Sequence, residues 1–275
     1  MDSHSIIRFT AVSLAALGIA SARAQGSEKI VIDGSSGVMP LASALAKAFQ
    51  ARNPGVSVDF GKGMSPKARL EALGQGKIDI ALASHGLDTA AISRQSMSAH
   101  EIARSAVVFA VNAGVPVANL TAQQICDVYS GQTTNWRSLG GPDLAIAART
   151  RPDSETDAEV VRAGIKCLQG LRMPDAVRVM SRAGDMAKEL AETPGSVGMT
   201  SMTVVEQSQG RVRSVTIDGV SPSAENIEGK RYGLVRQAFF VTKSPPPPAV
   251  GRFLNFVSSA EGDKVIRANG AIPVK

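Results

Sequence analysis

Short apolar runs alternate with amphipathic stretches along most of the chain. Ile30–Ile32 predicts a strand that ends at Asp33-Gly34. Leu41, Leu45, Ala48 and Phe49 then recur at helical spacing and stop before Asn53-Pro54. Val56, Val58 and Phe60 alternate as strand residues do. Leu70 and Leu73 mark a short helix, and strands follow at Ile78–Ala83 and Ser105–Val111. Thr121 with Gln124 three residues on predicts a capping box, opening a helix that ends near Gly131. A strand is expected at Leu144–Ala148, a helix at Ala158–Leu168 and a long strand at Tyr232–Thr242. Ser244 and four prolines then connect to helices carrying Phe253, Leu254, Val257, Val265 and Ile266. Strand–helix–strand alternation of this kind predicts an α/β architecture, with helices packed on mostly parallel sheets.

The N-terminus follows a different pattern. Arg8, an apolar run from Phe9 to Ala20 and the small-residue stretch Ser21-Ala22-Arg23-Ala24 have the order of a signal peptide over residues 1–24, cleaved before Gln25. The apolar run is shorter than the roughly 20 residues a bilayer-spanning helix needs. An exported chain in the periplasm is expected. The formal charge of +6 becomes +5 when Arg8 and Arg23 leave with Asp2, and a mildly basic surface suits an anionic solute. Basic residues are scattered without an aromatic stacking surface, which argues against nucleic acid. His4, His85 and His100 are not spaced with cysteines as metal ligands are, so neither metal nor cofactor is expected. An oxidising compartment permits a disulfide between Cys126 and Cys167, with two buried thiols as the alternative.

In open α/β sheets, ligands bind beyond the carboxyl ends of strands, where helix N-termini point free N–H groups outward. Three junctions carry suitable chemistry: Asp33-Gly34-Ser35-Ser36-Gly37, Ala83-Ser84-His85-Gly86, and Arg149 through Thr156. The last combines two arginines, hydroxyls and a helix start, which suits an oxyanion. Each junction also has a plain reading, as a helix cap or as a capped helix beside a solvated arginine.

Collinear motifs favour the first reading. NLTAQQICDVYSGQTTNWRSLGGPD over residues 119–143 resembles a segment of the periplasmic phosphate-binding proteins of phosphate ABC transporters. Supporting stretches are GSSGVMPLASALAKAFQARNPGVSVDFGKG, GKIDIALAS, TPGSVGM and FLNFVSSAEGDKVIRANGAIPV. The resemblance implies a type II periplasmic-binding-protein fold of two lobes, each a mixed, mostly parallel sheet flanked by helices, joined by two crossover strands. Residues 25–108 with 235–275 would form one lobe and 109–234 the other. It further implies a monomer that takes phosphate or a similar oxyanion into the interlobe cleft, closes by hinge motion and meets a membrane ABC permease. Carried onto this chain, the ligand contacts would be Ser35, Ser36, Ser84, His85, Arg151, Ser154 and Thr156, with Ser65 joining them. Asp153 would orient Arg151.

The chain departs from that family at four places. Gly37 stands where the family has Thr. The glycine- and serine-rich second loop reads Gly63-Met64-Ser65-Pro66-Lys67-Ala68, in which Pro66 has no N–H to donate. His85 can donate or accept according to its protonation, where relatives carry Asp or Arg. Glu155 puts a carboxylate beside the anion site, where it would repel an anion, turn to solvent or fill the site itself. Two further function classes follow: a diverged module, with altered or lost ligand, serving as a sensor or interaction protein, and a hydrolase. The latter lacks a Ser–His–Asp order, a metal-ligand cluster and a nucleophile elbow.

Overall fold

The computed structural model describes Met1 and residues 28–274; the expected signal peptide lies outside the described residues. The chain begins with β1 (Glu28–Gly34), α1 (Met39–Arg52), β2 (Val56–Phe60), α2 (Pro66–Gly74), β3 (Ile80–Ser84) and α3 (Thr89–Arg94). A strand of 16 residues, β4 (Met97–Asn112), follows. Next come β5 (Asn119–Leu120), α4 (Ala122–Tyr129), β6 (Ala147–Thr150), α5 (Thr156–Gly164), β7 (Arg178–Val179) and α6 (Ala183–Glu192). The middle part ends with β8 (Ser196–Ser201), α7 (Met202–Gln207), β9 (Val212–Ser214), β10 (Thr216–Ile217) and α8 (Ala224–Glu228). The chain closes with β11 (Val235–Lys243), α9 (Pro248–Val257), α10 (Ala260–Ala268) and β12 (Ala271–Pro273).

One strand joins the two lobes. β4 pairs antiparallel with β11 from Met97 to Ala106, then with β8 from Val107 to Val111. On one side the sheet continues through β3, β1 and β2, the last three mutually parallel. On the other it continues through β8, β6 and β7, also parallel. The second connection passes through Leu234, whose carbonyl accepts from the Val107 amide at 2.8 Å.

The period-2 alternation of strands accounts for the cores. Ile30 and Ile32 of β1, Ile80 and Leu82 of β3, and Phe240 of β11 face α1 and α9. Val31, Ala81, Ala83 and Val241 face the opposite side, toward α2 and α3. Both faces are covered, so these strands read as continuous apolar runs rather than alternating ones. The few aromatics are concentrated: Phe253 lies 5.1 Å from Phe49 and 5.8 Å from Phe240. A separate core fills the second lobe around Phe109, Tyr129, Trp136 and Met199. There Trp136 donates from Nε1 to the Gly195 carbonyl at 2.8 Å. Cys126 and Cys167 form a disulfide that ties α4 to the turn Lys166–Leu168.

Four boundaries differ from the sequence reading. β4 starts at Met97 rather than Ser105, because Ser98, His100 and Glu101 break the apolar pattern of a segment held mainly by its pairing with β11. β6 begins at Ala147, since Ala145 instead bridges to Asn135 and the Ile146 amide bonds to the Thr134 carbonyl. The helix predicted to reach Leu168 stops at Gly164, where any Cβ would collide with Leu234. β11 starts at Val235 rather than Tyr232, whose hydroxyl donates to the Val107 carbonyl at 2.7 Å. The capping box forms as expected: Thr121 Oγ1 accepts from the Gln124 amide, and Gln124 Oε1 accepts from the Thr121 amide.

In the second lobe, the buried Arg149 donates from Nε and Nη2 to Glu189 Oε1 at 2.8 and 2.6 Å. That hydrogen bond, ahead of its charge, holds the Glu189 carboxyl below the usual carboxylate range. A depressed folded-state value contributes stability above the unfolded value, and the contribution fades as pH falls through the folded value. Glu189→Gln is therefore expected to cost about 1–3 kcal/mol near neutral pH. In pH-dependent chemical denaturation, the difference from the unsubstituted protein should shrink steadily below about pH 4. A pH-independent difference would assign the loss to packing.

Candidate functional site

The loops after β1, β3 and β6 open into one cleft of about 630 Å³ between the lobes. Ser35, Ser36, Ser65, Ser84 and His85 line it from the first lobe, and Ser154 and Thr156 from the second. The three junctions singled out in the sequence thus meet in space. The cleft also contains Lys62, Arg69, Ser181 and Arg182, which sequence reasoning did not select.

Asp33 organises the first wall. Its buried carboxylate accepts from the Gly34 amide at 2.7 Å and the Gly63 amide at 2.8 Å, tying the loop after β1 to the loop after β2. Gly34 has φ +134°, and a Cβ there would strike the Leu82 backbone, so the loop has room for glycine only. In the second loop, Pro66 is the first residue of α2, where a missing N–H costs nothing. Ser65 is already occupied as the N-cap, its Oγ accepting from the Ala68 amide at 3.4 Å. Ser84 likewise donates to the Gln237 carbonyl at 3.0 Å and is buried. His85 is exposed on the cleft wall.

The second wall is built around Arg151, which is 1% exposed. Its Nη1 donates to the Met180 carbonyl at 2.6 Å, which fixes the plane of the guanidinium. Its Nη2 donates across the cleft to Ser36 Oγ and, within its own lobe, to Glu155 Oε2, both at 3.1 Å. Glu155 precedes α5 without capping it, so the first-turn amides of α5 have no side-chain partner there. The carboxylate on Arg151 is therefore that of Glu155. Asp153, expected to orient Arg151, turns outward and pairs with Arg162 at 2.8 Å. Pro152 and the turn after it carry Asp153 outward and bring Glu155, four residues on and just before α5, back to Arg151.

Behind Arg151 lies a second buried ion pair. Arg236, at the start of β11, donates from Nη1 to Asp157 Oδ1 at 2.8 Å and from Nη2 to the Gly37 carbonyl. It thereby links α5 of one lobe to the first loop of the other. Asp157 also lies 4.0 Å from Arg151 Nε. This pair explains why position 37 is glycine where the family pattern has Thr: a Cβ at Gly37 would overlap the Arg236 guanidinium. On another part of the seam, Gln207 Nε2 donates to the Pro40 carbonyl at 3.1 Å and to Asn269 Oδ1 at 2.8 Å.

Two lobes on a shared crossover strand, with hydroxyls, helix-start amides and a buried guanidinium facing each other across a cleft, define a solute-binding protein of the type II periplasmic class. The chain belongs to the PBP superfamily, whose domain matches residues 20–261. It is 27% identical over 258 residues to the phosphate-binding protein PstS of Bacillus subtilis, covering 91% of this chain and 84% of that one. A solved structure from Clostridium perfringens, assigned as a phosphate ABC transporter substrate-binding protein and holding phosphate, superposes with a TM-score of 0.73 at 26% identity. That superposition spans 90% of this chain and all of the other. An ABC-type phosphate transport receptor from Vibrio cholerae matches with a TM-score of 0.58 at 26% identity, covering 88% of this chain and 99% of its own. The resemblance read from the motifs is borne out.

Gly37→Thr, which would restore the family's hydroxyl, is expected to destabilise the protein by about 2 kcal/mol or more through overpacking against Arg236. Thermal unfolding of the substituted protein checks this. An unchanged midpoint would show that Arg236 can yield.

Proposed function

We propose that this protein captures inorganic phosphate, or a closely related tetrahedral oxyanion, between its lobes and delivers it to a membrane ABC permease. It binds the solute without transforming it. The observation that carries this reading is Arg151: a buried guanidinium whose Nη2 faces a hydroxyl of the opposite lobe and a carboxylate oxygen standing where an oxyanion would go. An oxyanion replacing that carboxylate would accept charge-assisted hydrogen bonds from Arg151, hydroxyl bonds from Ser35, Ser36, Ser154 and Thr156, and the first-turn amides of α5. Because these donors come from both lobes, the anion favours the closed arrangement by its differential affinity. Residues 25–108 with 235–275 act as one rigid body and 109–234 as the other. The change of strand partner at Ala106–Val107 supports a hinge there. The names of the B. subtilis and V. cholerae relatives support phosphate as cargo and an ABC transporter as partner. Export by way of residues 1–24, action outside the cytoplasm and a monomeric state belong to the same reading.

One observation favours a second reading. Glu155 already satisfies Arg151, as it would in a module that has given up its ligand and serves as a sensor or interaction protein.

Thermal unfolding of the anion-stripped protein against phosphate, sulfate and arsenate at matched ionic strength separates the two. Phosphate at a hundred-fold excess over Kd should add about 2.7 kcal/mol of stability. Arg151→Met should abolish that gain while leaving the protein folded. No shift with any of these anions would sink the transport reading and favour the second.

A further inference from the structure

Arg69 has no role in the site as built so far. It lies in the first turns of α2, is 9% exposed, and lines the cleft. Its stem lies against the first loop, Cδ being the nearest side-chain atom to where a Cβ of Gly34 would stand, at 3.1 Å. Its Nε is buried without a hydrogen-bond partner among the described residues. The nearby cleft carboxylate, Glu155, bonds to Arg151 instead. Burial pushes the Arg69 guanidinium below the ordinary arginine value, opposed by the charge of Glu155.

Nε is unpartnered in Arg151 and Arg236 too, but each of those bonds a carboxylate through Nη. Among the described residues none bonds to Arg69, and a buried cation without one is costly unless something arrives to neutralise it. Three guanidiniums are buried at this seam: Arg69, Arg151 and Arg236. Two carboxylates are buried here, Asp157 bound to Arg236 and Asp33 held by the Gly34 and Gly63 amides, and the partly exposed Glu155 bonds to Arg151. If Glu155 swings to solvent, Arg69 and Arg151, one in each lobe, are left without a carboxylate bonded to either. Each faces the cleft, and together they match a doubly charged anion.

We propose, on the footing of the oxyanion reading above, that Arg69 is a ligand-contacting residue that forms a two-sided guanidinium clamp with Arg151. The clamp selects dianionic tetrahedral oxyanions, and Glu155 is the tethered stand-in that the incoming anion displaces. Monohydrogen phosphate and the dianions of phosphonates fit this class. A singly charged oxyanion compensates only half of the exposed charge and should be held far less well.

Isothermal titration with phosphate and with hypophosphite, at about pH 8 where phosphate is mainly doubly charged, tests the clamp in the unsubstituted protein, Arg69→Met and Glu155→Gln. Arg69→Met should weaken phosphate about 30-fold or more, in the range of a lost charge-assisted bond. Hypophosphite, which starts weaker, should lose much less. The unliganded Arg69→Met protein should melt at the same temperature or higher, since an unpartnered buried charge has gone. A guanidinium with a merely structural role would lower that temperature. Glu155→Gln should tighten phosphate about tenfold by removing a charged competitor. If Arg69→Met binds phosphate as the unsubstituted protein does, the clamp is wrong while the oxyanion reading stands. If the unsubstituted protein binds neither anion, that reading fails and the clamp falls with it.

Discussion

A guanidinium sealed between two lobes has to be answered by negative charge. Arg151 is fixed by the Met180 carbonyl and packed at the end of β6, so it cannot retreat to water. Whatever lies against it must therefore supply acceptors or negative charge. The answer comes from Glu155, four residues on. The pairing of Arg236 with Asp157 solves the same problem for the neighbouring cation and spans both lobes. The arrangement of loops at the seam follows from these demands: Gly37 must lack a side chain, and α5 must present its N-terminus toward the first loop.

The fold places this chemistry with little room for error. β4 belongs to both sheets, so the carboxyl ends of β1, β3 and β6 are held near one another by a continuous ladder. The lobes have separate cores, and few apolar contacts would have to be broken for one to move against the other. The contacts that do cross the cleft are polar: Arg151 to Ser36, Arg236 to Gly37, and Gln207 to Pro40 and Asn269.

Much of the fold was legible in the sequence, because strand and helix periods over residues 28–84 are clean and fully buried strands show as apolar runs. The first half of β4 was not, since its polar residues are tolerated by antiparallel pairing rather than forbidden by burial. The cleft itself was legible to the extent that its walls are strand-to-helix junctions rich in hydroxyls. Arg69, Arg182 and Lys62 carried no comparable signal: they sit in ordinary helical or loop contexts, and only tertiary placement gives them a site. Sequence proximity points to Asp153 as the partner of Arg151 but does not say which way a turn points a side chain; Asp153 pairs with Arg162. Glu155 is a departure from the family pattern, and its carboxylate bonds directly to Arg151.

Glu155 being covalently attached has a kinetic and ecological meaning. A group on a short tether competes at an effective concentration of roughly millimolar or above, whatever the medium contains. Dilute or weakly bound solutes, chloride and carboxylates among them, must outbid it at every encounter and mostly will not. On the proposed oxyanion reading, the tether would set a threshold for occupying the cleft, fixed by chain geometry rather than by the surroundings.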